Sequence, residues 1–133
     1  MERAVACVDT DFCVDYLREK PPRYEQFEKA MLSFDLRMTA ITAYELLLGQ
    51  LRMRREQDLT SFLELIPVIP FGRRAAEESA KIHFTLMKKG QEIGLPDTLI
   101  AGTCLAEAIP LLTYNLAHFE RVEGLRVIDP STL

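Results

Sequence analysis

The sequence predicts an α/β fold, with a mostly parallel central sheet and helices on both faces. Three observations lead there. Short apolar runs, such as Ala4–Val8 and Pro110–Thr113, are the length of buried strands and too short for buried helices. Helix-length amphipathic segments separate them, so the connections are crossovers and the strands run parallel. Each run also breaks off at polar residues, as at Asp9-Thr10-Asp11.

Taken in order, Ala4–Val8 is the first strand, and Phe12 to Arg18 is a short helix stopped by Pro21-Pro22. Tyr24, Phe27, Ala30 and Met31 make a helical stripe. Arg37 to Ile41 is extended and ends at Thr42. Ala43 to Gln57, rich in Leu, Met, Arg and Glu, is a helix. Leu59 to Leu65 is another, closed by Pro67. Val68 to Phe71 is a third strand, and Pro70 marks it as an edge or an end. Arg73 to Lys89 is helical, with Ala76, Ala80, Phe84 and Met87 on one face and Gly90 as its stop. Gly94-Leu95-Pro96 is a turn. Asp97 to Ala108 is a helix with Ile100, Ala101, Cys104, Leu105 and Ala108 along its stripe. Pro110–Thr113 is the fourth strand, Leu116 to Arg121 a helical turn or two, and Leu125–Ile128 the last strand.

The chain of 133 residues suits one domain spanning 1–133, with no repeat, linker or composition shift to divide it. With 48% hydrophobic and 27% charged residues it has the composition of a globular protein, which excludes disordered and collagen-like classes. No apolar stretch reaches the ~18 residues of a membrane span. Asp9 and Asp11 interrupt any signal-peptide core. Cys7, Cys13 and Cys104 are an odd set with no CxxC pair, read as reduced, buried thiols of a cytoplasmic protein. A net charge of −4 gives no whole-molecule attraction to nucleic acid, yet leaves nucleic acid open as a substrate if basic residues are grouped. Arg52, Arg54 and Arg55 form one such group, Arg73 and Arg74 a second, Lys88 and Lys89 a third; a solvated helix face explains most of them equally simply. With no tryptophan and 8% aromatic residues there is little sign of a stacking platform for single-stranded bases.

Open parallel sheets bind ligands beyond the carboxyl ends of their strands. Four polar groups fit that rule: Asp9 after the first strand, Glu45 in the first turn of the helix after the second, Asp97 at the start of a long helix, and Asn115 after the fourth strand. Three carboxylates gathered there repel one another, at roughly 3 kcal/mol per pair for ~5 Å and an effective dielectric of ~20. Protons or a cation must neutralise them. An oxygen-only set without thiolate or imidazole suits Mg²⁺ or Mn²⁺ and phosphate substrates. Each position also has a capping explanation. Thr42-Ala43-Tyr44-Glu45 matches a capping box, Asp97 is a good N-cap, Asp9 or Asp11 caps the first helix, and Asn115 caps the last. Gly49 and Arg52 share a helical face with Glu45. Gly49 leaves room for a ligand or relieves packing; Arg52 reaches a phosphate or is merely solvated.

The order and spacing of these segments resemble the PIN-domain ribonucleases, specifically VapC-type toxins of prokaryotic toxin–antitoxin pairs. The resemblance runs through Val8-Asp9-Thr10, Thr42 to Gly49, Ile93 to Ala101 and Leu112 to Leu125, nearly the whole chain. It implies a three-layer α/β/α sandwich and a metal-dependent endoribonuclease. Asp9, Glu45 and Asp97 would hold Mg²⁺ or Mn²⁺, and an activated water would attack an RNA phosphodiester. The family's fourth polar position falls on Asn115; many relatives carry aspartate there or three residues later, where this chain has His118. That leaves three carboxylates instead of four. Asn115 keeps a carbonyl oxygen for the site, and Thr10, Thr113, Arg52 and His118 are candidates for touching substrate or orienting the acids. The resemblance further implies a homodimer and a cognate VapB-type antitoxin lying across the groove. Two other readings stand beside it. One is a degenerate PIN-like module that binds RNA or a partner without cleaving. The other is a phosphatase of the haloacid-dehalogenase type, suggested by Asp9-Thr10-Asp11 and opposed by the lack of a later Asp-Asp pair.

Overall fold

The computed structural model describes residues 2–53 and 59–133. Strands β1 (Val5–Val8), β2 (Asp35–Thr39), β3 (Val68–Ile69), β4 (Leu111–Leu112) and β5 (Val127–Ile128) form one sheet in the order β3-β2-β1-β4-β5. All pairings are parallel. The helices are α1 (Thr10–Leu17), α2 (Arg23–Ser33), α3 (Ala40–Arg52), α4 (Thr60–Leu65), α5 (Arg73–Lys88), α6 (Leu95–Glu107) and α7 (Leu116–Phe119), and a 3-10 turn covers Pro130–Thr132. Among the described residues no helix is long and apolar enough to cross a membrane.

Strand alternation splits the core between the two faces of the sheet. Ala6, Val8, Leu36, Met38 and Leu112 point to one side, where Phe12, Phe27 and Phe62 of α1, α2 and α4 meet them. Cys7 and Leu111 point to the other, against Ile82, Leu86, Ile100, Cys104 and Phe119. This is the expected three-layer sandwich. Phe12 and Phe27 pack edge to face at 4.8 Å, and Tyr16 stacks on Phe27 at 4.3 Å. The three cysteines are free thiols within this core, as expected. Cys7 hydrogen-bonds Cys104, and that contact, with burial, raises its pKa well above the ordinary thiol range.

Several boundaries differ from the sequence reading. β2 ends at Thr39 rather than Ile41, because the Thr39 hydroxyl accepts the backbone N–H of Thr42 at 3.1 Å and starts α3 at Ala40. Two turn-formers in the sequence hid this: Thr42 also looked like a cap. α6 begins at Leu95, so the supposed turn is its first residues. Gly94 permits this with φ of 90°, a backbone few side chains adopt, and its carbonyl receives the Thr98 hydroxyl at 2.7 Å. On α5 the buried face is Ala75, Ser79, Ile82 and Leu86, whereas Phe84 and Met87 are exposed. Both stripes have helical spacing; only packing chooses between them. The third strand does lie at the sheet edge, as Pro70 suggested. α3 ends at Arg52 with Met53 as its cap; the rest of the stretch expected to reach Gln57, with Arg54 and Arg55, lies outside the described residues.

The strand order reverses between β1 and β4, whose register pairs Cys7 with Leu111 and Val8 with Leu112. One step further along, Asp9 stands beside Thr113. Two residues beyond the Cys7–Arg37 pair, Thr39 stands on the other side. The switch point of the sheet is therefore occupied by Asp9 between two buried threonines.

Candidate functional site

Asp9 is the N-cap of α1. Its Oδ1 accepts the Phe12 backbone N–H at 3.1 Å. Its Oδ2 accepts the Thr113 hydroxyl, and Thr113 Oγ1 in turn accepts the Asn115 backbone N–H at 3.0 Å. Asp9 is 6% exposed. Burial pushes its carboxyl from 3.8 up to about 6, against the pull of the Thr113 and Phe12 hydrogen bonds. The neighbouring charges acting on it, Asp11 and Asp97, are both negative and push the same way as burial.

Asp97 lies in the first turn of α6, not at its cap; the cap residue is Gly94. Burial raises its carboxyl too, opposed by His118 and reinforced by Asp11. His118 Nδ1 lies 3.4 Å from Asp97 Oδ2 and 3.0 Å from Asn115 Nδ2. Asn115 stands at the N-cap position of α7 but makes no side-chain cap bond, so the capping explanation fails for it as it does for Asp97.

Glu45 is in the second turn of α3, since the helix starts at Ala40. It closes no capping box. Its Oε1 receives the Thr10 hydroxyl at 2.6 Å, and Thr10 Oγ1 lies 3.0 Å from Thr42 Oγ1. Thr10 immediately follows Asp9, so the second acid is tied to the first through one residue. Glu45 also lines a cavity of about 90 Å³ with Val14, Leu17, Arg18, Leu46, Gly49, Gln50, Met53 and Leu59. A side-chain carbon at Gly49 would meet nothing within 4 Å, so that glycine relieves no packing and leaves the cavity open beside Glu45. Arg52 is exposed in the last turn of α3 and does not line this cavity.

Thr39, Thr42 and Arg18 were missed in the sequence. The Thr39-Ala40-Ile41-Thr42 spacing offered a signal for the first two. Nothing local could place Arg18 beside Glu45, because α1 and α3 meet only in the folded chain.

The donor chemistry fits a hard divalent cation. It is oxygen-only, and its most buried member has only negative charges acting on it. The acids do share one edge of the sheet, but among the described residues no three His, Cys, Asp or Glu side chains converge closely enough to enclose a cation as they stand. Each carboxylate is instead held by a hydroxyl or an imidazole of its own: Asp9 by Thr113, Glu45 by Thr10, Asp97 by His118.

A family model described as PIN domain matches residues 6–125. The chain belongs to the PIN domain family. Among curated relatives it is similar to Ribonuclease VapC1 of Methanocaldococcus jannaschii, 32% identical over 130 residues and covering 96% of this chain and 90% of that one. It is also similar to the tRNA(fMet)-specific endonuclease VapC of Salmonella typhimurium, 28% identical over 92% of this chain and 95% of that one. Among solved structures, DNA-bound VapBC from Salmonella typhimurium superposes with a TM-score of 0.81 at 27% identity, covering 98% of this chain and 99% of the other. FitAcB from Neisseria gonorrhoeae gives 0.81 at 25% identity, covering 97% and 99%. Membership of the PIN family sets aside the haloacid-dehalogenase comparison, which rested on Asp9-Thr10-Asp11 alone.

Proposed function

We propose that this chain is a Mg²⁺- or Mn²⁺-dependent endoribonuclease, the toxin of a toxin–antitoxin pair. The observation that carries this reading is Asp9: a carboxylate buried at the switch point of a parallel sheet, raised to about 6, with Asp97 acting on it across the β1–β4 junction. Such a group is poised to gain from a cation. Relatives named as ribonucleases, and a neighbour that is DNA-bound VapBC, support the substrate class and the partner.

Asp9, Asp97 and Glu45 are the residues that would hold the cation. When bound, the cation supplies charge neutralisation for the acids and the phosphate, and an acidified water. The chain's own groups set the stage. Thr113 fixes the Asp9 carboxylate and Thr10 fixes Glu45. The cavity left open at Gly49 reaches Glu45, with Arg18 at its wall to meet an RNA phosphate. We further propose cytoplasmic action as a homodimer, held inactive by a VapB-type antitoxin.

The lack of a closed three-acid cluster among the described residues favours one other reading, a module that binds RNA without cleaving it. Purified, antitoxin-free protein incubated with structured RNA separates the two. Cleavage that needs Mg²⁺ or Mn²⁺, stops in EDTA and is lost in Asp9→Asn is the expected result. Binding without cleavage in any metal overturns the nuclease reading.

A further inference from the structure

α5 carries two apolar stripes, and the chain's own core uses one of them. Ala75, Ser79, Ile82 and Leu86 are buried, with Ile82 and Leu86 among the residues that pack on Cys7 and Leu111 of the sheet. Ala76, Ala80, Phe84 and Met87 are exposed. Phe84 is 56% exposed and Met87 49%. The Lys88 ammonium stands 4.7 Å from the Phe84 ring centroid without burying the side chain. Leu95, 59% exposed at the start of α6, lines a shallow hollow together with His83 of α5, which joins it to the same face. Arg73, Glu77, Lys81 and Lys88 rim the stripe. A contiguous exposed apolar face rimmed by charge marks a protein–protein contact.

This face is complementary to itself. Its small residues, Ala76 and Ala80, lie toward the start of α5, and its large ones, Phe84 and Met87, toward the end. A second α5 turned end for end about Ala80 sets Phe84 opposite Ala76 of the other copy, and Met87 opposite Arg73, whose aliphatic stem can cover it. Ala80 meets Ala80, so no bulky side chain holds the helices apart where they cross. Glu77, Lys81, Phe84 and Lys88 follow one another at helical spacing along one side of α5. Two-fold symmetry lays that side against its own copy, which brings Glu77 to Lys81 of the second chain. Within one chain Glu77 meets Arg73 at 3.3 Å and Lys81 meets Glu78 at 3.6 Å, exposed contacts that hold these side chains weakly and leave them able to re-pair. A parallel arrangement would instead set Phe84 on Phe84 and Lys81 on Lys81. We propose that the outer face of α5, with Leu95 beside it, is the docking surface for a second copy of this chain, α5 against α5 in antiparallel sense about a two-fold axis at Ala80. The assignment rests on the homodimer reading above and gives that dimer its surface.

Sedimentation velocity of the purified, metal-free chain over a concentration series reads the dimer and its Kd. Phe84→Glu and Ala80→Glu should each raise that Kd roughly 100-fold, because every change enters a two-fold interface twice. Glu77→Lys should weaken the dimer and adding Lys81→Glu should restore it, a rescue that a role inside one chain does not produce. Circular dichroism melts check that these exposed substitutions leave the fold intact. Cross-linking needs no disruptive change. Cys7, Cys13 and Cys104 are buried, so mild oxidation with copper–phenanthroline should join two Ala80→Cys chains through position 80 alone. Arg73→Cys, ~21 Å along the helix axes from its own counterpart, should stay unlinked. A wild-type dimer with no cross-link at Ala80→Cys, or with an unchanged Kd in Phe84→Glu, overturns this surface and leaves the homodimer reading standing. A wild type that stays monomeric throughout the series overturns both, and leaves the face to a different protein.

Discussion

Asp9→Asn tests the electrostatics of the switch point without any substrate. Asp9 is nearly fully buried and its carboxyl is raised from 3.8 to about 6. That difference, at 1.36 kcal/mol per pH unit, means ionised Asp9 costs the folded protein on the order of 3 kcal/mol. The sign follows from proton binding. Between 3.8 and about 6 the folded protein holds a proton that the unfolded chain has lost. Stability from this group is therefore full below pH 3.8 and is lost as pH rises through about 6. Asparagine cannot ionise and its Oδ1 can still accept from Phe12, so the variant lacks this loss. The Thr113 hydroxyl must find a new acceptor, a pH-independent cost of about 1 kcal/mol. In urea unfolding with EDTA, the variant should match the wild type within about 1 kcal/mol near pH 4 and exceed it by ~2 kcal/mol at neutral pH. Saturating Mg²⁺ should then stabilise the wild type, by ~2.7 kcal/mol at a hundredfold excess over Kd, and leave the variant unmoved. Parallel pH profiles for the two proteins in EDTA would refute the reasoning, since Asp9 would then carry no burial penalty.

Thr113→Val removes the hydroxyl that holds Asp9 ionised, so it should raise that carboxyl further. The added cost, ~1–3 kcal/mol, should appear at neutral pH and shrink toward pH 4 in the same urea series, above a constant loss from the Asn115 N–H bond; a wholly pH-independent loss would show that Thr113 does not act through the Asp9 charge. Gly102→Ala tests the contact between α5 and α6. The new carbon would sit 1.9 Å from Ser79 Oγ and 2.8 and 2.9 Å from its backbone N and Cα, so turning the Ser79 side chain cannot relieve it. The helices must part, at ~1–3 kcal/mol or more, and a thermal melt at the wild-type temperature would contradict that.

Strand-length apolar runs, the residues that end them and the crossovers between them were legible because they are local. They placed Asp9, Asp97 and Asn115 at one edge of a parallel sheet and Glu45 on the helix beyond it, and the strand register then set Asp9 beside Thr113. The face that α5 buries was not legible, since two stripes share the helical period and only α6 selects between them. Nor were the start of α3, decided by the Thr39 hydroxyl, or the partner each acid takes. Thr10 reaches Glu45 across 35 residues of chain, and Thr113 reaches Asp9 across 104. Residue types and their order record which groups the fold can bring together. Hydrogen-bond pairing and the burial that raises Asp9 depend on angles and neighbours that exist only once the layers have packed.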